Sequence, residues 1–167
     1  MRRARYGVLV GLAASLVAAL AGCEELGTAR YEPGERVDVR VERVVDGDTA
    51  VVSIDGRSEY VRYIGIDTPE SVKPDTEPEC FSYRASNENR RLVEGRSVEL
   101  EFDRELYDRY DRLLAYVRLD GQLVNEELLR KGLATTLTIP PNDRYADEFS
   151  ALEDEARNSG MGIWGAC

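Results

Sequence analysis

The sequence predicts an α+β domain, a five-stranded Greek-key β-barrel of the OB type with about three packed helices. Three observations carry that prediction. Segments of strand-like alternation come three before a helical segment and two after it. Asp55-Gly56 and Asp120-Gly121 stand between neighbouring alternating segments, where tight hairpin turns belong. Apolar residues at helical spacing then fill the C-terminal part of the chain. With 167 residues, 43% of them hydrophobic and 32% charged, there is material for one such domain with a real core, plus a leader.

The leader comes first. Arg2, Arg3 and Arg5 precede an uncharged apolar run from Gly7 to Ala21, which ends in Leu20-Ala21-Gly22-Cys23. Residues 1–22 therefore read as a lipoprotein signal peptide, with Cys23 supplying the thiol for a diacylglycerol group. The competing reading is an uncleaved membrane anchor, but the run falls short of the roughly 20 residues a spanning helix needs. Either way, everything after Cys23 lies outside the cytoplasm, as a surface lipoprotein held to the membrane in the favoured reading. Glu24 to Glu35 are charged, contain Gly27, Pro33 and Gly34, and lack apolar periodicity. Residues 23–35 thus read as the lipidated cysteine and a flexible tether, and residues 36–167 as the domain.

Val37-Asp38-Val39-Arg40-Val41 alternates, which predicts a strand from about Val37 to Val45 with one face buried. Asp46-Gly47-Asp48 interrupts it before a second strand, Thr49 to Ile54, and the Asp55-Gly56 turn leads to a third, Ser58 to Ile66. Pro69, Pro74 and Pro78 make Thr68 to Pro78 a surface loop. Ser82 to Val93 has good helix formers and stops before Gly95, a C-terminal cap. Ser97 to Phe102 and Leu113 to Leu119 are the next strands, followed by the short Leu123-Val124 segment. Asn125 is placed to cap a helix from Glu126 to Lys131, which Gly132 closes. Tyr145, Phe149, Leu152 and Ala156 share one face of a last helix and belong to the core.

Charge by itself opposes a polyanionic partner. The formal charge is −10, and removal of residues 1–22 with their three arginines takes it to −13. The chain has no histidine, which excludes a Ser-His-Asp triad, a histidine base and histidine-ligated zinc. Acid–base work must fall to carboxylates. Of three cysteines, Cys23 is assigned to the lipid, so Cys80 and Cys167, in an oxidising compartment, are expected to form a disulfide.

Three clusters carry chemistry. Asp46 and Asp48 flank a turn between two strands, where carboxylates can offer the oxygen ligands that hard cations prefer, although Asp-Gly-Asp alone is an ordinary turn composition. Arg62 lies in the third strand, and Asp67-Thr68-Pro69-Glu70 follows where that strand meets its loop. Asp108-Arg109-Tyr110-Asp111-Arg112 stands directly before another strand. Each has a bland reading as a solvated face, a cap or a charged loop. Together, Val45-Asp46-Gly47-Asp48-Thr49, Arg62 with Ile66-Asp67-Thr68-Pro69-Glu70, and Asp108 to Arg112 resemble, in order and spacing, the three motifs of the staphylococcal nuclease (thermonuclease) family. The resemblance runs from about Val37 through Trp164.

That resemblance implies a calcium-dependent nuclease that hydrolyses phosphodiester bonds of DNA, RNA or both with little sequence specificity, because the contacts it implies are to metal and phosphate. It implies Asp48, Asp67 and the Thr68 carbonyl as calcium ligands, with Asp46 supporting the turn. Glu70 would be the general base or would orient the attacking water, and Arg62 and Arg112 would hold the phosphate. Asp108 and Tyr110 would support the site, and the protein would act as a monomer. Two departures stand out: Asp111 occupies a position where the family commonly has glycine, and the Thr135 to Pro141 loop lacks the tyrosines of the best-known member. The alternative is a barrel that binds nucleic acid or protein at the cell surface without cleaving anything.

Overall fold

Alternation makes β1 (Arg36–Val44) an amphipathic strand. The computed structural model, which describes residues 30–71 and 77–167, pairs it antiparallel with β2 (Thr49–Ile54) and with β5 (Ser97–Glu101). The signal peptide 1–22, Cys23 and residues 24–29 lie outside the described residues. β2 turns into β3 (Arg57–Tyr63) through Asp55 and Gly56, whose φ angles of 50° and 73° are both positive, as this two-residue turn requires. β5 pairs antiparallel with β6 (Leu113–Leu119), and β6 runs parallel to β3. That last pairing closes β1, β2, β3, β5 and β6 into the expected five-stranded barrel.

Inward residues of every strand, among them Val41, Val52, Val61, Leu100 and Leu113, are almost wholly buried in one cluster. α1 (Ser82–Val93) packs on β1 and on α2 (Val124–Arg130), which also meets β6 and α3 (Ala146–Asn158). Phe149, Leu152 and Ala156 of α3 are buried as their spacing predicts. The short β7 (Gln122–Leu123) extends the sheet beyond β6, and α4 (Ile163–Ala166) ends the chain. Cys80 and Cys167 are disulfide-bonded, closing 87 residues of sequence separation. Among the described residues no helix is long and apolar enough to cross a membrane.

The structure departs from the sequence reading at four places. The third strand does not run unbroken from Ser58 to Ile66: it breaks at Ile64, and Gly65 to Asp67 form a separate strand, β4. Gly65 has φ 81°, and a Cβ there would stand 2.8 Å from the Phe149 ring, so α3 presses the chain into a bend that glycine alone accepts. Part of the Thr135 to Pro141 loop is strand, because β8 (Thr135–Leu137) pairs antiparallel with β4. Asn125 does not cap α2; it sits inside the helix, fully buried, accepting from the Val117 N–H at 3.0 Å and donating to the Ile64 carbonyl at 2.9 Å. Tyr31, in the stretch read as tether, is buried with its ring 5.1 Å from that of Phe102, so the compact unit begins at Tyr31. A single aromatic anchor has no periodicity and escapes a pattern search.

Candidate active site

The turn between β1 and β2 is built by its own carboxylates. Asp46 Oδ1 accepts the Asp48 N–H at 3.1 Å, and Asn89 of α1 donates to the Asp46 carbonyl at 3.0 Å. Gly47 faces Thr68 so closely that a Cβ would come within 2.5 Å of its Oγ1. The turn can therefore interlock with the segment after β4. Asp48 is buried, and its Oδ2 accepts both the Thr68 N–H at 2.8 Å and the Thr68 hydroxyl at 2.9 Å. Burial pushes the Asp48 carboxyl up to about 6; Arg62 and the Thr68 donors pull it down, and the neighbouring Asp46 pushes it further up.

Arg62 is the hub. Its Nη1 lies 3.1 Å from Asp48 Oδ1 and donates to the carbonyls of Tyr63 at 3.0 Å and Ile66 at 2.8 Å. Its Nη2 donates to Asp67 Oδ1 at 2.7 Å. One guanidinium thus gathers a carboxylate of the β1–β2 turn and one of β4, and the bend at Ile64 is what folds Ile66 and Asp67 back over it. Burial raises the Asp67 carboxyl above its ordinary value, with Arg62 opposing and Asp48, Glu79 and Glu70 reinforcing the rise. Glu70 follows on the loop: its N–H donates to Glu79 Oε2 at 2.9 Å, and its carbonyl accepts the Glu79 N–H at 3.0 Å.

The third motif folds on Asp108. Its Oδ1 accepts the Tyr110 and Arg112 N–H groups at 2.8 and 3.0 Å, and its Oδ2 accepts Arg112 Nε at 2.7 Å. Burial works against the Asp108 carboxylate, but the Arg112 and Tyr110 donors outweigh it and hold the group below its ordinary range. Tyr110 is exposed, with the Arg109 guanidinium 4.7 Å and that of Arg112 5.6 Å from its ring centre. Asp111, at φ 60°, adopts the left-handed conformation that glycine takes without cost.

Parallel pairing of β3 with β6 sets Arg62 opposite Leu114, two residues beyond Arg112. Arg62, Arg109, Tyr110 and Arg112 consequently line one cavity of about 470 Å³, together with Leu137 and Ile139. All three motifs meet at this end of the barrel. Asp46, Asp48, Arg62, Asp67 and Thr68 form one bonded group, Asp108, Tyr110 and Arg112 a second, and the cavity joins them. Glu70 stands beside the first group on its loop. Sequence reasoning missed Glu79 and Asn89, which hold Glu70 and Asp46 from α1 and its approach; neither has a local pattern that marks it.

Comparison with known proteins agrees with the geometry. The family described as staphylococcal nuclease homologue matches residues 60–166. Over 124 residues the chain is 43% identical to a thermonuclease of Staphylococcus intermedius, covering 74% of each chain. It is 34% identical over 167 residues to a thermonuclease of Staphylococcus hyicus, covering 98% of this chain and 99% of that one. It is 44% identical over 132 residues to the SPbeta prophage-derived endonuclease YokF of Bacillus subtilis, covering 78% of this chain and 45% of that protein. The chain belongs to the staphylococcal nuclease family and is a nuclease, an enzyme that hydrolyses the phosphodiester bonds of nucleic acid.

Proposed function

We propose that this nuclease cleaves DNA, RNA or both with calcium bound beside Arg62, and that it works outside the cytoplasm. The observation that supports this reading best is the sharing of Arg62: one guanidinium touches both Asp48 and Asp67 and also lines the cavity that Arg112 lines. Asp48, Asp67 and the Thr68 carbonyl are hard oxygen donors that suit calcium, with water and substrate phosphate completing the set. Burial disfavours the charged form of Asp48, and a bound divalent cation would favour it. Among the described residues no three or more acidic, histidine or cysteine side chains are grouped to hold a metal ion; the proposed ligands are two carboxylates and one backbone carbonyl. Bound calcium would supply neutralisation of phosphate charge and polarisation of water.

The chain's own groups do the rest. Glu70 accepts a proton from the attacking water, or orients it, through its carboxylate. Arg62 and Arg112 donate to the non-bridging phosphate oxygens, and carboxylates orient both, Asp48 and Asp67 on Arg62 and Asp108 on Arg112. Asp46 and Asp108 fix the two loops, and Tyr110 offers a ring at the cavity mouth. Contacts to phosphate rather than base edges account for little sequence specificity.

Residues 1–22 act in this reading as a lipoprotein signal peptide, Cys23 carries the lipid, the tether ends before Tyr31, and a monomeric domain follows. The Cys80–Cys167 disulfide supports an oxidising compartment. Calcium titration of the full chain on single- and double-stranded DNA and on RNA tests the catalytic part, with Glu70→Gln alongside. Activity should require calcium and should fall steeply in the variant. Undiminished cleavage in excess chelator would overturn the calcium dependence, and a fully active Glu70→Gln would overturn the role of Glu70. Cys23→Ser should move the protein from the membrane fraction to the soluble fraction.

A further inference from the structure

Two features of the chain, neither of them a proposed ligand of metal or phosphate, hold the segment that carries Glu70. The first is Glu79. Its carboxylate Oε2 accepts the Glu70 N–H at 2.9 Å while its own N–H donates to the Glu70 carbonyl at 3.0 Å. The two residues are thereby clamped backbone to backbone and backbone to side chain. The second is the disulfide, which begins at the very next residue, Cys80.

The other end of that disulfide is firmly seated. Cys167 donates its N–H to the Ile163 carbonyl at 3.1 Å, and Ile163 donates to the Gly132 carbonyl at 2.9 Å. Gly162 lies so close to Gly132 that a Cβ on it would stand 2.1 Å from the Gly132 carbonyl oxygen. The C-terminus is therefore locked to the turn that precedes β8, the partner of the strand bearing Asp67. Asp67, Thr68, Glu79, Cys80 and Cys167 all line one cavity of about 310 Å³. The barrel thus grips the Glu70 segment twice, through Thr68 on Asp48 and through Glu79 on the disulfide.

We infer that Glu79 is a positioning residue for Glu70 and that the Cys80–Cys167 bond holds Glu79 in place to do it. Glu79 touches no reacting atom. It sets where the Glu70 backbone stands, and so where that carboxylate points. This rests on the reading of Glu70 as the group that handles the attacking water. A disulfide that served stability alone would leave turnover untouched well below the melting temperature.

The test compares kcat, KM and Tm for the full chain, Glu79→Ala, Glu79→Gln, the double variant Cys80→Ser/Cys167→Ser, the combination of that pair with Glu79→Ala, and Glu70→Gln. Glu79→Ala should lower kcat about 10- to 100-fold, as expected for a displaced catalytic group, with KM within about twofold. Glu79→Gln keeps an oxygen acceptor for the Glu70 N–H and should restore most of kcat. The cysteine pair should lower kcat as Glu79→Ala does, and the combination should add little, because both changes release the same clamp. If the cysteine pair does not fold, kcat of the full chain before and after reduction, well below its melting temperature, takes its place, and unchanged turnover on reduction would overturn the link from disulfide to Glu79. A Glu79→Ala enzyme with undiminished kcat, beside an inactive Glu70→Gln, would overturn the inference and leave the role of Glu70 standing. Losses that simply add would refute the link from disulfide to Glu79. Full activity of Glu70→Gln would instead remove the reading on which the inference rests.

Discussion

Arg62 makes contact with four oxygen atoms, two of them on the carboxylates that sequence and geometry bring together. A lysine has one compact charge and cannot reach both carboxylates and both carbonyls from a single plane. Arg62→Lys should therefore reduce kcat/KM by about 100-fold or more, in line with the loss of a preorganised donor, and steady-state kinetics will measure it. Asp111 bears the opposite kind of constraint. Its φ of 60° is unfavourable for a side chain, and its charge stands one residue from Arg112. Asp111→Gly removes both and should raise kcat/KM, more at low salt than at high salt, since only the electrostatic part is screened. The motifs themselves were legible in the sequence, because carboxylates and arginines at fixed spacing survive as a pattern. That one guanidinium serves Asp48 and Asp67 together was not, since it follows from the bend at Gly65 against Phe149.

Among the elements, α2 shows how a residue type can mislead. An asparagine before a run of helix formers suggests a cap, yet Asn125 lies inside α2 and ties β6 to the junction of β3 and β4. Asn125→Ala would leave a buried N–H and a buried carbonyl without partners and should cost about 2–4 kcal/mol in urea unfolding. Glu88 links α1 to α2. Hydrogen bonds from Arg91, against the opposing effect of burial, and from Lys131 lower its pKa from 4.5 to about 2. A folded-state pKa below the unfolded value adds stability above pH 4.5, and that contribution disappears as pH falls towards 2. Glu88→Gln should thus destabilise the neutral protein by about 1–2 kcal/mol, allowing for solvent screening, and unfolding of both proteins should converge as pH approaches 2. Element positions themselves follow from alternation and turn chemistry. β4 and β8 escaped because each has three residues and exists only through pairing with the other.

For the whole molecule, charge and function oppose one another. The chain carries a formal charge of −10, yet its substrate is a polyanion. The cationic cavity acts at contact distance, whereas the net charge acts over a Debye length, which shrinks from about 30 Å at 0.01 M salt to about 10 Å at 0.1 M. Monovalent salt over that range should raise kcat/KM at saturating calcium by screening the long-range repulsion first. A monotonic fall would show that the arginine contacts outweigh the net charge.

Taken by itself, the sequence determines the barrel class, the order of its five barrel strands and main helices, and three motifs whose resemblance to a known family gives the family. The elements rest on short-range rules: strand alternation, turn residues with positive φ, and apolar residues at helical spacing. Tertiary structure alone decided that β3 and β6 run side by side and place Arg62 and Arg112 on one cavity. It also decided that Glu79 holds Glu70 and that Asn125 stitches the sheet. Such contacts join residues far apart in sequence, and their register is set by the packing of the entire core, which no local period encodes.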